Sequence, residues 1–281
     1  MSNAQRVANW IMDRERLRTL NESGMPYDVY GDPILAKYRF CNVRREDDRV
    51  TRWLKKNWRD PYAGHPNMVG AMLLARMVNW PPTLEAIGFP EMWDADKTAH
   101  NIHEFSLLGK AWSAAYIVST CGQAMDKAAY VVQTVGEVMG RPAYTPQPED
   151  TLQAVWQRLR GINGLGAGFI AAQVVADLKY CDEHLLLARD WLSFAVSGPG
   201  SRRGLNRYWL RDKNAPCKEV EWKEWLNEMI VEVIPLLPPD LQDIHSQDFQ
   251  NVMCEWDKYE RVRLGEGKPR KAYKPETAYS V

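Results

Sequence analysis

The chain has 281 residues, enough for one large domain or two small ones. Lys plus Arg number 36 and Asp plus Glu number 36, so the net charge is zero and only local patches can point to a nucleic-acid partner. With 45% hydrophobic and 26% charged residues, the composition is that of a globular chain with a core large enough to need no disulfide or metal staple.

Five scattered cysteines, none in a CxxC, argue against a disulfide framework, a zinc ribbon or an iron–sulfur cluster, and fit reduced thiols in a cytoplasm. The longest uncharged runs, 111–125 and 161–176, fall short of the roughly 18–20 apolar residues of a membrane span. The start, MSNAQRVANW, has no basic region followed by an apolar stretch, so no secretory signal is read there.

Strand signals are scarce and helical spacing is common. Val7, Trp10, Ile11 and Leu17 predict a first helix, and residues 21–31 a loop. Asp32-Pro33 reads as an N-cap with proline at the first helical position, opening a helix that carries Ile34, Leu35, Tyr38 and Cys41. Val50, Trp53 and Leu54 continue the pattern. Met68, Met72, Leu73 and Ala75–Val78 make another helix, broken at Trp80-Pro81-Pro82. Residues 108–140 read as long buried helices, and 141–149 as a Pro-rich link. Leu152, Val155, Trp156 and Leu159 share one helical face. After GINGLGAG (161–168), a second apolar helix runs to Leu178. Two more helices are expected, from about Lys218 to Leu236 and from about Gln247 to Arg263, the last preceding a basic tail. The expectation is a single all-α unit over 1–281. Residues 150–236 would form the hairpin and active-site half, with 1–149 and 237–281 as packing helices and tail.

Helix, hydrophobic-Gly-x-Gly turn, helix is the pattern of a helix-hairpin-helix. Gly164, Gly166 and Gly168 would let the backbone approach a DNA phosphate, and the second helix would aim its free N–H groups at it. The plainer reading is a glycine turn between core helices. A dinucleotide site is disfavoured, because Phe169 stands where GxGxxG needs its last glycine and a helix precedes. Asp190 ends the apolar run HLLLARD and precedes WLSFAV, read as a short helix. It is either that helix's N-cap or a catalytic carboxylate.

GPGSRRGLNR (198–207) breaks the chain, offers Ser201 as a cap and adds Arg202, Arg203 and Arg207, a composition suited to phosphate. The alternative is a solvated basic loop. In 32–53, Arg39, Arg44 and Arg45 interleave with Tyr38, Phe40 and Asn42, so a nucleic-acid groove stands beside a solvated charged face. Glu255, Asp257 and Lys258 crowd the last helix. GEGKP is not a P-loop, no GxxxxGK[ST] exists, and no GxSxG or Cys–His signature is present. His100-x-x-His103 with Glu104 is a weak pattern, and no metal is assigned.

Five stretches taken together resemble one family: DPILAKYRFCNVRREDDRVTRW (32–53), AYIVSTCG (115–122), GINGLGAGFIAAQVVADL (161–178), GPGSRRGLNR, and CEWDKYERVRLGEGKPRKAY (254–273). They look like the phage α-glutamyl/putrescinyl thymine pyrophosphorylases, also described as amino acid:DNA transferases. A similar helical module is fused to kinases for 5-hydroxymethyl-deoxyuridine in DNA. The hairpin segment also resembles helix-hairpin-helix DNA glycosylases, although the hairpin lysine of the lyase-active members is replaced by Gly168.

The resemblance implies a glycosylase-like helical fold in a phage-encoded enzyme of the host cytoplasm. The substrate would be double-stranded DNA carrying 5-(phospho- or pyrophospho)methyl-deoxyuridine, made by a functionally coupled base kinase. The co-substrate would be an amino acid such as glycine, or a polyamine, with no cofactor. Asp190 is the expected base, with Asp257 and Glu255 as substitutes. Ser201, Arg202, Arg203 and Arg207 would hold the leaving phosphate. Gly164, Gly166, Gly168, Arg39, Asn42, Arg44, Arg45 and Lys258 would meet DNA. A cysteine nucleophile, Cys41 or Cys254, is disfavoured. The alternatives are a monofunctional glycosylase using Asp190 and a non-catalytic module that recruits another enzyme to DNA.

Overall fold

The computed structural model describes residues 1–24, 31–113, 120, 124–165 and 168–269. These residues form α-helices, short 3-10 turns, one π-helical turn at Lys55–Arg59 and connecting loops, with no β-strand among them. The chain is thus all-α, as its periodicity predicts. It divides into two compact units, Met1–Asp48 with Ala195–Val281, and Arg49–Phe194. Residues 150–236 therefore run through both units.

The first unit opens with α1 (Asn3–Glu22) and α2 (Pro33–Lys37). The second holds α3 (Arg49–Leu54), α4 (Met68–Val78), α5 (Pro81–Ile87), α6 (Ala95–Leu107), α7 (Lys127–Gly136), α8 (Leu152–Arg160) and α9 (Phe169–Leu178). The chain then returns to the first unit with α10 (Pro199–Tyr208), α11 (Glu219–Val233) and α12 (Ser246–Arg263).

In the first unit, Ser2 caps α1 by accepting the Gln5 N–H at 3.1 Å, and Val7, Trp10, Ile11 and Leu17 turn into the core. Trp222 of α11 and Trp256 of α12 are buried beside them, each removing a large aromatic surface from water. Asp32 caps α2 through the Ile34 and Leu35 N–H groups, at 2.8 and 3.0 Å. This helix stops at Lys37, short of the predicted Cys41. The reason lies in α1: buried Arg14 draws the following chain out, donating to the carbonyls of Phe40 and Cys41 and to Asn42 Oδ1.

Helices α10 and α12 pack closely. A β-carbon on Gly204 would lie 2.1 Å from the Met253 carbonyl oxygen, and one on Gly200 would lie 2.4 Å from Cys254 Sγ. Gly200 and Gly204 thus serve helix packing, while Gly198 and Pro199 break the chain and start a new helix, as expected. Gly198 is the N-cap, Pro199 opens α10, and Ser201 sits buried in its first turn, accepting the Gly198 N–H at 2.9 Å.

In the second unit, every residue of α4 is buried, and it packs on α7 and α9 as a central helix. Its one charge, Arg76, is matched by Asp177 of α9, equally buried, through two hydrogen bonds of 2.5 Å. Asn79 ends α4 in the left-handed region, φ 49°. Pro81-Pro82 breaks that helix as predicted but also starts the next one.

Two expectations change here. Within 108–140, the described helix is Lys127–Gly136 alone. Residues 108–113 are not helical, and Ala111 is tied through its carbonyl to Thr83 Oγ1 at 2.9 Å. WLSFAV forms turns and irregular chain instead of a helix. Trp191 is clamped there: its indole donates to the Lys179 carbonyl, and Lys179 Nζ donates back to the Trp191 carbonyl, both at 3.1 Å. Among the described residues, no helix is long and apolar enough to cross a membrane.

Candidate functional site

In the second unit, α8 and α9 pack together around the glycine turn, of which Gly166 lies outside the described residues. Gly164 (φ 98°) and Gly168 (φ 85°) both adopt conformations that L side chains avoid. The turn is held from behind. Tyr130 Oη donates to the Gly164 carbonyl at 2.7 Å, and Trp156 Nε1 to the Gly168 carbonyl at 2.9 Å. Gly168 caps α9 with no side chain. An anion placed there would meet first-turn N–H groups that no side-chain cap occupies. Exposed Arg160 lies over the Trp156 ring, 4.6 Å from its centroid.

Asp190 is an N-cap of a different kind from the one predicted. Its two oxygens accept the N–H groups of Leu152 and Gln153, each at 2.9 Å. It therefore anchors the start of α8, alongside Thr151, which accepts the Ala154 N–H at 3.0 Å.

In the first unit, α10 and α12 gather three guanidinium groups around one carboxylate. Asp257, whose side chain is 1% exposed, takes Arg203 Nε and Arg207 Nε at 2.9 Å each, with Arg261 Nε at 3.6 Å. Arg207 also reaches Glu266 at 2.5 Å. Arg203 and Arg261 remain about one-third exposed, and each turns only its Nε toward Asp257. Their terminal N–H forks stay available on a locally positive face. Arg202, by contrast, is fully engaged with Ser197 Oγ, Glu219 and the Cys217 carbonyl. Spacing alone could not separate Arg202 from Arg203; Arg261 stands i+4 from Asp257 on the same helix, a pairing its spacing allows.

Segment 38–48 meets the same helix α12. Glu255, buried, accepts the Cys41 N–H at 3.0 Å and pairs with Lys258 at 2.6 Å. Lys258 lies over the Phe40 ring; burial opposes its charge, but Glu255 and the neighbouring Cys41 and Cys254 together raise its pKa. Asn42 is a scaffold residue: its N–H goes to Asp48 at 3.2 Å, its Nδ2 to the Asp47 carbonyl at 2.8 Å, and its Oδ1 receives Arg14. Arg44 pairs with Asp243 at 2.5 Å, and buried Arg45 donates its main-chain N–H to Asp248. Only Arg39 among these candidates is exposed with no ion pair among the described residues.

The thiols are poorly disposed to act as nucleophiles. Cys41 is exposed at the surface, yet the protein packed around its sulfur and the Glu255 carboxylate push its thiol up, and desolvation and Glu255 push Cys254 up to about 11. His100 and His103 are exposed on α6. No cluster of three or more metal-ligating side chains occurs among the described residues.

A family model described as "5-hmdU DNA kinase, helical domain" matches residues 2–269. The chain belongs to this family. Membership relates it to the helical module of a DNA-modifying enzyme and accounts for a match that spans both units. No curated protein and no solved structure matches the chain.

Proposed function

We propose that this member of the 5-hmdU DNA kinase helical-domain family is a phage thymine-hypermodification enzyme of the transferase type, acting in the host cytoplasm. Its substrate would be double-stranded DNA carrying 5-(phospho- or pyrophospho)methyl-deoxyuridine from a coupled base kinase. A small amine would displace the phosphate without any cofactor. The nitrogen lone pair forms a C–N bond to the 5-methylene carbon. The C–O bond breaks, and phosphate or pyrophosphate departs with the electron pair. The ammonium so formed gives up its proton to a carboxylate or water.

The observation that carries this reading is the Arg203–Asp257–Arg261 arrangement, with Arg207 behind it. One buried carboxylate hydrogen-bonds two guanidinium groups and faces a third at 3.6 Å, and two exposed forks remain for a phosphate that gains charge as it leaves. The glycine turn before α9 supplies a sequence-independent phosphate contact, as expected of an enzyme that flips a base at a cost of a few kcal/mol. Asp190, Asp257 and Glu255 are each committed to structural partners, which weakens all three as the proton acceptor.

That same commitment of Asp190 favours a second reading over the glycosylase: a non-catalytic module that brings DNA to another modifying enzyme. The deciding experiment is nucleoside mass spectrometry after incubating DNA containing 5-(phosphoryloxymethyl)uracil with the protein and a mixture of amino acids and polyamines. A nucleoside heavier than thymidine by the added donor supports the transferase. Abasic sites mean a glycosylase, and unchanged but bound DNA means the recruiting module.

A further inference from the structure

Alongside the arginine face, the first unit carries a groove that neither the family nor the sequence motifs assign. It runs between α1 and α12 beside the start of α2 and encloses about 240 Å³. Its charges are arranged with two ends. Asp13 and Asp32 lie toward α1 and α2, while Arg6 and Arg263 share the single carboxylate of Glu260. Two guanidinium groups on one carboxylate leave a net positive charge at that end, beside two carboxylates at the other.

Three details mark this as a site for a ligand. Asp13 is half-buried and has no ion pair or hydrogen bond among the described residues. Trp10 lines the groove at 4% exposure, and its indole Nε1, buried from solvent, has no hydrogen-bond partner. Asp32, in contrast, is fixed by the Tyr259 hydroxyl at 2.7 Å and by two α2 amides, so that end is preorganised. The groove adjoins a second depression of about 330 Å³ that shares Arg6, Trp256, Glu260 and Arg263 and reaches Arg207, which is bound to Asp257.

We infer that this groove binds a free small amino acid, its ammonium group between Asp13 and Asp32 and its carboxylate toward Arg6 and Arg263. Trp10 adds an aromatic wall beside Asp13, while the Trp256 ring lies under the Arg6 guanidinium, 5.5 Å from its centroid, and backs the positive end. A diamine would set its second ammonium against two guanidinium groups, and a simple carboxylate would leave Asp13 unmatched. The assignment of this amino acid as the donor of the transfer reaction rests on the function proposed above; its binding does not.

The test uses the full chain labelled with ¹⁵N-tryptophan, titrated separately with glycine, alanine, serine, putrescine and acetate. The Trp10 indole cross-peak is assigned by its loss in Trp10→Phe. It is expected to move with at least one of the amino acids and to need roughly tenfold more putrescine or acetate. Asp13→Asn, which removes no structural bond, should weaken amino-acid binding about tenfold and leave the other indole peaks in place. A still Trp10 peak with every amino acid, equal movement with putrescine, or an unchanged Asp13→Asn titration overturns the inference. Binding without any product on phosphorylated DNA would keep the groove and remove the transferase reading. Product whose amine KM ignores Asp13→Asn would do the reverse.

Discussion

Asp190 and Leu152 stand 38 residues apart in the chain, and the Asp190 carboxylate accepts the Leu152 N–H at 2.9 Å. Its other oxygen takes Gln153 at the same distance, so one side chain satisfies two orphan donors at the start of α8. Asp190→Ala should cost about 1–2 kcal/mol in denaturant unfolding. Asp190→Asn keeps one oxygen acceptor and should cost less. If turnover of Asp190→Asn on phosphorylated DNA falls a hundredfold at unchanged stability, the carboxylate is chemical after all, and its anchoring of α8 is secondary.

Gly200 and Gly204 both face α12, but against different obstacles. Gly204 faces the Met253 carbonyl, which belongs to a helix backbone and cannot swing aside. Gly204→Ala should separate α10 from α12 and cost about 3 kcal/mol or more. Gly200 faces the Cys254 thiol, a side chain that can change rotamer, so Gly200→Ala should cost roughly 1 kcal/mol. Thermal unfolding of the two variants side by side checks the order; equal losses would refute it.

Asp257 carries charge for three arginines, so Asp257→Asn leaves them facing one another over a buried amide. A loss of about 3–5 kcal/mol is expected. Arg203→Gln removes one fork while Asp257 keeps Arg207 and Arg261, and stability should change by less than about 1 kcal/mol. If Arg203 meets a DNA phosphate, the slope of log affinity against log salt should fall by about 1. An unchanged slope would take this residue off the DNA.

How far the sequence was legible depended on distance. Local rules give α1, α8, α11 and α12 by their apolar stripes, α4 and α9 by their apolar runs, and the Asp32-Pro33 start of α2. They failed where a distant group decided the outcome. Arg14 ends α2 early, and the Lys179–Trp191 clamp replaces the helix expected after Asp190. The site reading divided similarly. GPGSRRGLNR stands out in the sequence, but Gly200 and Gly204 answer to α12, and which arginine stays available depends on Glu219 and Asp257. The groove at Trp10 and Asp13 was invisible, since its walls come from three helices with no motif in any of them.

Asp48 gives the fold a pH dependence of unusual sign. Burial is the main cause that pushes its carboxyl up to about 6, helped by the nearby Glu255 charge and opposed by the Asn42 N–H, Arg45 and Arg14. Its unfolded value is that of an ordinary aspartate, ~4. Between these values the folded protein holds a proton that the unfolded chain has released. This group therefore favours folding as pH falls from about 6 to 4, and its ionised form weakens the fold above 6. Asp48→Asn keeps the oxygen that accepts the Asn42 N–H and removes the charge. The variant should match the parent near pH 4 and exceed its stability above pH 6 by roughly 1–2 kcal/mol, allowing for solvent screening at a partly exposed side chain. Urea unfolding at pH 4, 5, 6 and 7 reads the difference directly. A variant less stable than the parent at pH 7 would mean that the Asp48 charge is needed by Arg45 or Arg14 more than burial opposes it.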